Sequence, residues 1–271
     1  MHTTAASPRP HKRQRTGSMA TTPPATAYDP EGIDILEGAT RVLSVEATAL
    51  SHVTRLYSTD PVARDGLLRA VKCVSSSQAA GGKVVVCGVG KSGLVGAKTV
   101  ATLKSLGIGA SFMHASEAAH GDLGDIRTND VLLFISYSGR TPELLNILPH
   151  LPSSLPIVAM TSHLKASECP LLESCDDGIL LPAPIHEKEE VSFGVCAPTT
   201  STTVAIAIGD MLALTVAERL HCGKTGQVFK KNHPGGAIGQ VTRAEKSAET
   251  PEAVTPLELP SPSISAKSEE G

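Results

Sequence analysis

Along the chain, apolar residues fall into two rhythms. Between Ile33 and Ala80 they return at helical spacing (Ile35, Leu36, Ala39, Val42 and Leu43, then Leu67, Leu68 and Val71), with a break at Ser58-Thr59-Asp60-Pro61. Two helices are predicted there. From Lys83 onward the apolar residues come in short unbroken runs, Val84 to Cys87, Val131 to Ile135, Ile157 to Met160 and Ile179 to Leu181, separated by helix-length stretches such as Gly93 to Leu106 and Pro142 to Leu151. A strand that is apolar on both faces must be covered on both faces, the situation of a parallel sheet with crossover helices. The prediction is an α/β fold, a three-layer αβα sandwich. The longest apolar stretch, Thr203 to Ala217, contains Asp210 and falls short of the ~18 uninterrupted apolar residues of a membrane span, so it reads as a buried helix.

The rhythm is lost at both ends. Residues 1–32 are rich in Ser, Thr and Pro, hold no acid before Asp29 and carry the basic knot His11-Lys12-Arg13-Gln14-Arg15. Residues 241–271 are rich in Pro, Glu and Ser. Both read as disordered tails around one domain over 33–240. The knot is a solvated stretch or a weak nuclear import signal through Lys12-Arg13-Gln14-Arg15, and the prolines argue against an amphipathic presequence.

Composition narrows the function classes. The 271 residues are 41% hydrophobic, 19% charged and 3% aromatic, without tryptophan, and the net charge is -3. That is too apolar and too nearly neutral for a mostly disordered chain. Without a basic excess, nucleic acid is a poor partner, while a small anion needs only a local site. The six cysteines are scattered without a CxxC pair, and no signal peptide is recognisable, which predicts reduced thiols in a cytoplasmic protein. With so few aromatics, a ligand must be held by amides, hydroxyls and a few charges.

Two loops carry those groups. The first strand runs into Gly88-Val89-Gly90-Lys91-Ser92-Gly93. This fits GxGxxG, but the acid expected about 20 residues later has only Glu117 to offer; a Walker A loop fails because Val85 stands where it needs glycine. What remains is an anion seat, with backbone amides at a helix N-terminus beside Ser92 and the cation Lys91. The strand ending at Ile135 leads into Ser136-Tyr137-Ser138-Gly139-Arg140-Thr141, which is either a second phosphate loop or an ordinary turn with Thr141 as N-cap before Pro142. A third cluster, Thr199-Thr200-Ser201-Thr202-Thr203, exceeds the need of a single cap.

In order and spacing, GVGKSG, HASEAAHGDLG (His114 to Gly124), SYSGRTPE (Ser136 to Glu143), APTTSTT (Ala197 to Thr203), GDMLAL (Gly209 to Leu214) and NHPGGAIG (Asn232 to Gly239) resemble the sugar isomerase (SIS) domain, and most of all the D-arabinose 5-phosphate isomerases. The resemblance covers about 33–240 and implies a parallel sheet of about five strands that binds a phosphosugar. Its proposed catalytic residues fall on Lys91, Glu143, Glu190 and His233. Its substrate contacts fall on Gly90, Ser92, His114, His120, Ser136, Ser138, Thr141 and the hydroxyls of Thr199, Thr200, Ser201 and Thr202. It implies a homodimer or homotetramer, no organic cofactor and no obligatory metal, with His114 at most an adventitious zinc contact, and no membrane. Taken singly, Glu143 suits any helix first turn, Glu190 lies in an acidic run that passes for a solvated loop, and His233 suits a turn.

The chain also departs from the family. Tyr137 and Arg140 replace an asparagine and a glutamate, Val191 to Val195 replace Ala-Cys-Pro-Leu-Gly, and the C-terminal pair of CBS repeats found in many bacterial members is not matched. The reading is an aldose-ketose isomerase, with a non-catalytic phosphosugar sensor as the alternative. An NAD-dependent oxidoreductase rests on the glycine pattern alone.

Overall fold

In a computed structural model, which describes residues 30–235, Asp60 separates two helices, α1 (Pro30–Thr59) and α2 (Pro61–Ala79). Its extended backbone stops the first, and its carboxylate accepts the Ala63 amide at 2.9 Å to cap the second, with Pro61 at the first helical position. Residues 1–29, with the knot Lys12-Arg13-Gln14-Arg15, and those after Gly235, with the end of NHPGGAIG, lie outside the described residues, whereas residues 30–32, which the sequence assigns to the N-terminal tail, open α1.

Five strands follow: β1 (Val84–Gly88), β2 (Ala110–His114), β3 (Val131–Ile135), β4 (Ile157–Thr161) and β5 (Ile179–Pro182). All pair in parallel in the order β2-β1-β3-β4-β5, with Val84 opposite both Ala110 and Val131. The remaining helices are α3 (Gly90–Ser105), α4 (Ala115–Ala118), α5 (Pro142–Ile147), α6 (Glu189–Phe193), α7 (Thr200–His221) and α8 (Thr225–Asn232). This is the five-stranded αβα sandwich that the sequence predicts.

Alternate strand residues feed two cores, because successive side chains point to opposite faces. Val84, Val86, Leu133, Ile135, Met160 and Leu181 pack with α1, α2, α3 and α7. Val85, Cys87, Leu132, Phe134, Ala159 and Leu180 pack with α4, α5 and short 3-10 turns. Both faces being dry explains why β1, β3, β4 and β5 are buried throughout. β2 escapes the pattern because only Ala110 and Met113 of its five residues are buried, with Phe112 partly exposed beside Gly93 and Gly96 of α3. Helix α7 is long and apolar enough to cross a membrane by composition alone, yet half of that stretch is buried, against α1, α2 and α3.

From β1 the chain winds through α3 to β2 on one side, then crosses to β3 on the other. The loops after β1 and β3 therefore diverge. In such sheets this switch point, at the carboxyl ends of the strands, is where a crevice opens.

Candidate functional site

The β1 loop is shorter than the sequence suggests. Helix α3 begins at Gly90, so Lys91 and Ser92 stand in its first turn instead of in a free glycine loop. Gly90 has φ +58, a left-handed conformation that glycine adopts without penalty. Val89, at the cap position, supplies no side-chain acceptor, so among the described residues the first amides of the helix have no side-chain cap, and Lys91 lines the crevice at the same helix start.

The β3 loop is prebuilt by its own hydroxyls. Ser136 Oγ accepts the Gly139 amide at 3.1 Å and lies 2.8 Å from Thr141 Oγ1; Ser138 Oγ accepts the Arg140 amide at 3.2 Å. His163 Nε2 donates to the Ser138 carbonyl at 2.9 Å, bracing the loop from β4. One of the Ser136 and Thr141 hydroxyl hydrogens is spent between them, which leaves the other and that of Ser138 for a ligand. Thr141 occupies the cap position of α5 without a side-chain cap bond, because its oxygen is turned to Ser136.

The third cluster behaves differently. Thr199 does not cap α7 with its own side chain. Glu189 Oε1 does so instead, accepting Thr199 N at 2.7 Å, Ser201 N at 2.9 Å and Ser201 Oγ at 2.9 Å. The anion seat at this helix start is filled by the chain's own carboxylate. Thr199 Oγ1 and Thr200 Oγ1 are buried with no partner among the described residues.

A cavity of about 290 Å³ lies between these elements, at the small end of ligand pockets. Lys91 and Ser92, Tyr137, and Ser201 and Thr202 form its polar wall; Val95, Ile135, Met160 and Ala205 form its apolar floor. Lys91 is its one charged lining residue among the described residues. Burial, reinforced by the Glu189 charge, pushes the Tyr137 phenol above its usual range, so it remains protonated at neutral pH.

Of the residues singled out in the sequence, the cavity wall thus brings together Lys91, Ser92, Ser201 and Thr202. Ser136, Ser138 and Thr141 lie on the adjoining loop, and Glu143 is exposed on the first turn of α5. Glu190 is exposed on α6, where its charge pushes up the pKa of the nearby Cys196 thiol. His114 ends β2 opposite Gly88 and accepts the Ser116 amide at 3.3 Å, while His120 is exposed in the turn after α4. Among the described residues, no group of three His, Cys, Asp or Glu side chains could hold a metal ion.

His233 stands apart from all of these. It follows α8, stacks on Phe229 with ring centroids 4.1 Å apart, donates from Nδ1 to the Phe229 carbonyl at 2.8 Å and places Nε2 3.3 Å from Ser105 Oγ. Ser105 is the last residue of α3 and Lys91 its second, so at 1.5 Å per residue the two ends are about 20 Å apart. Within one chain, His233 and Lys91 cannot touch the same small molecule.

Sequence reasoning missed Glu189 as the cap of α7 and Thr161 as a cavity residue. Glu189 is one of three acids in Glu187-Lys188-Glu189-Glu190, and spacing alone does not say which turns inward. Thr161 ends an apolar strand and has no motif to mark it.

The fold is a doubly wound α/β domain with a crevice at its switch point, and comparison with known proteins gives the lineage. The SIS domain model matches residues 79–215, and the chain belongs to the SIS domain family. It is 36% identical over 211 residues to arabinose 5-phosphate isomerase KdsD of Pseudomonas aeruginosa, an alignment covering 78% of this chain and 59% of that protein. It is 40% identical over 176 residues to arabinose 5-phosphate isomerase GutQ of Salmonella typhimurium, covering 65% and 51%. The chain thus spans little more than half the length of these curated relatives. Among solved structures, an Escherichia coli CFT073 protein in complex with A5P superposes with a TM-score of 0.62 at 31% identity, covering 74% of this chain and 98% of that one.

Proposed function

We propose that this protein is an aldose-ketose isomerase of a phosphosugar, interconverting D-arabinose 5-phosphate and D-ribulose 5-phosphate. The observation that carries the reading is the cavity at the sheet's switch point, where Lys91 at the start of α3 shares room for one small ligand with the hydroxyls of Ser92, Ser201 and Thr202. Relatives named for this reaction support the choice of sugar.

In the forward direction the C2 proton leaves the open-chain aldose while O1 gains a proton, giving an enediol(ate). C1 then takes up a proton as O2 gives one up, and the ketose results. The chemistry needs a base over the carbons, a proton carrier at the oxygens and charge stabilisation. We assign the carbon proton to Glu143, charge stabilisation and phosphate grip to Lys91, and the oxygen-side transfer or ring opening to His233, with Glu190 as the second carboxylate. Because His233 lies about 20 Å from Lys91 in its own chain, by the 1.5 Å rise of α3, it acts on the cavity of a neighbouring subunit in a homodimer or homotetramer. Exposed Ile35, Leu36 and Leu43 on α1 suit such an association.

The test is a panel of pentose and hexose phosphates followed by NMR, with and without chelator. Lys91→Ala and Glu143→Gln should each lower turnover by roughly 10²–10³ while the proteins stay folded. Full activity in both variants would remove the assigned roles. A second reading, a sensor that binds a phosphosugar without converting it, draws on the placement of Glu143, Glu190 and His233 off the wall of the single-chain cavity. It predicts thermal stabilisation by the sugar phosphate with no product.

A further inference from the structure

Residues 184–197 leave β5 and lead to α7, carrying α6 and Glu190 on the way. The upstream end of this stretch is held by packing, with Ile185 against the core and the His186 ring 5.3 Å from that of His52 on α1, but α6 beyond it has fewer ties. Helix α6 is five residues long, its cap position, Lys188, makes no side-chain cap bond, and Val191 is largely exposed. Its internal bonds, such as Ser192 Oγ donating to Glu187 Oε2 at 2.5 Å, stiffen α6 locally. Among the described residues, the hydrogen bonds that join 184–197 to the rest of the protein all end on one atom, Glu189 Oε1. It takes Thr199 N, Ser201 N and Ser201 Oγ between 2.7 and 2.9 Å.

An ordinary cap would come from residue 199 itself and would hold nothing else in place. Here the cap is drawn from ten residues upstream, so satisfying the α7 amides also pins α6. Ser201 and Tyr137 line the cavity, and Glu189 bonds to the first and lies within electrostatic reach of the second. Glu190 is the next residue.

We infer that Glu189 is a positioning residue of the site: its carboxylate anchors α6 to the start of α7 and thereby fixes where Glu190 stands relative to the cavity. This rests on the isomerase reading above. Loss of the anchor leaves the phosphate seats at α3 and β3 intact and loosens only the carboxylate, so it acts on turnover more than on substrate affinity.

Glu189→Ala and Glu189→Gln separate the anchor from general stability, since the amide keeps an acceptor oxygen at the same reach. In steady-state kinetics, Glu189→Ala should lose about tenfold or more in kcat with KM changed by less than about threefold, and Glu189→Gln should stay within about threefold of the parent. Unchanged kcat in Glu189→Ala, a loss confined to KM, or equal damage in both variants overturns the inference. Amide exchange over 184–201 is measured on the same proteins and should be about tenfold faster in Glu189→Ala alone. If the parent protein converts none of the sugar phosphates, the isomerase reading fails, and exchange decides the anchor by itself: equal exchange in Glu189→Ala and the parent overturns it.

Discussion

Asp130 sits one residue before β3 with 1% of its side chain exposed, and its two oxygens serve three partners. Oδ1 accepts Lys83 N at 2.9 Å; Oδ2 accepts Arg127 N at 2.8 Å and the Lys83 ammonium at 2.7 Å. Burial alone would raise this carboxyl's pKa, but the Lys83 charge and the two amides outweigh it and hold the group below the usual carboxylate range. A depressed folded pKa means the stabilisation is complete above the unfolded value of about 3.9 and fades as pH falls through the lower folded value. Asp130→Asn should therefore cost about 2 kcal/mol in denaturant unfolding at pH 7 and progressively less below about pH 4. A pH-independent difference would assign the effect to packing. No motif marks Asp130, because Arg127 meets it only through a backbone amide in a local turn and Lys83, 47 residues away, meets it only once β1 and β3 pair.

At the scale of elements, the strands that line the site were legible and their ends were not. Runs such as Val131 to Ile135 are dry on both faces and announce themselves, whereas β2 buries only Ala110 and Met113, and its Ala-Ser-Phe-Met-His text holds no β-branched residue. The start of α3 was placed late because glycines discourage a helix prediction, although Gly90 enters with positive φ and the helix follows directly. Gly139, by contrast, marks its turn in both sequence and structure. It has φ +62, and an added Cβ would meet Cys169 Sγ and the His163 ring at 3.3 Å. Gly139→Ala should lose about 1–2 kcal/mol of stability and weaken phosphate protection in a thermal-shift titration, since the Ser136 and Ser138 hydroxyls are set by this turn. Unaltered phosphate protection would argue against the β3 loop as the anion seat.

For the whole molecule, the family and the order of its layers could be read from six short motifs, but the distance from Lys91 to His233 could not. Both residues lie in recognisable motifs, and only the course of α3 and α8 reveals that they occupy opposite ends of the same helix. A site completed between subunits has a direct test. Lys91→Ala and His233→Ala, each inactive alone, should regain part of the activity when co-expressed, because some cavities then receive an intact lysine from one chain and an intact histidine from the other. No recovery, with hetero-oligomers present, would place both functions in one chain. Helix α1 packs on α2 and α7 through Ala49 and Val53 and is otherwise largely uncovered. During synthesis, roughly 140 residues separate the end of α1 at Thr59 from the start of α7 at Thr200, and at 5–20 residues per second the ribosome takes about 7–28 s to make them. For that interval α1, the first of the described helices, waits with its apolar side uncovered for the helix it packs against.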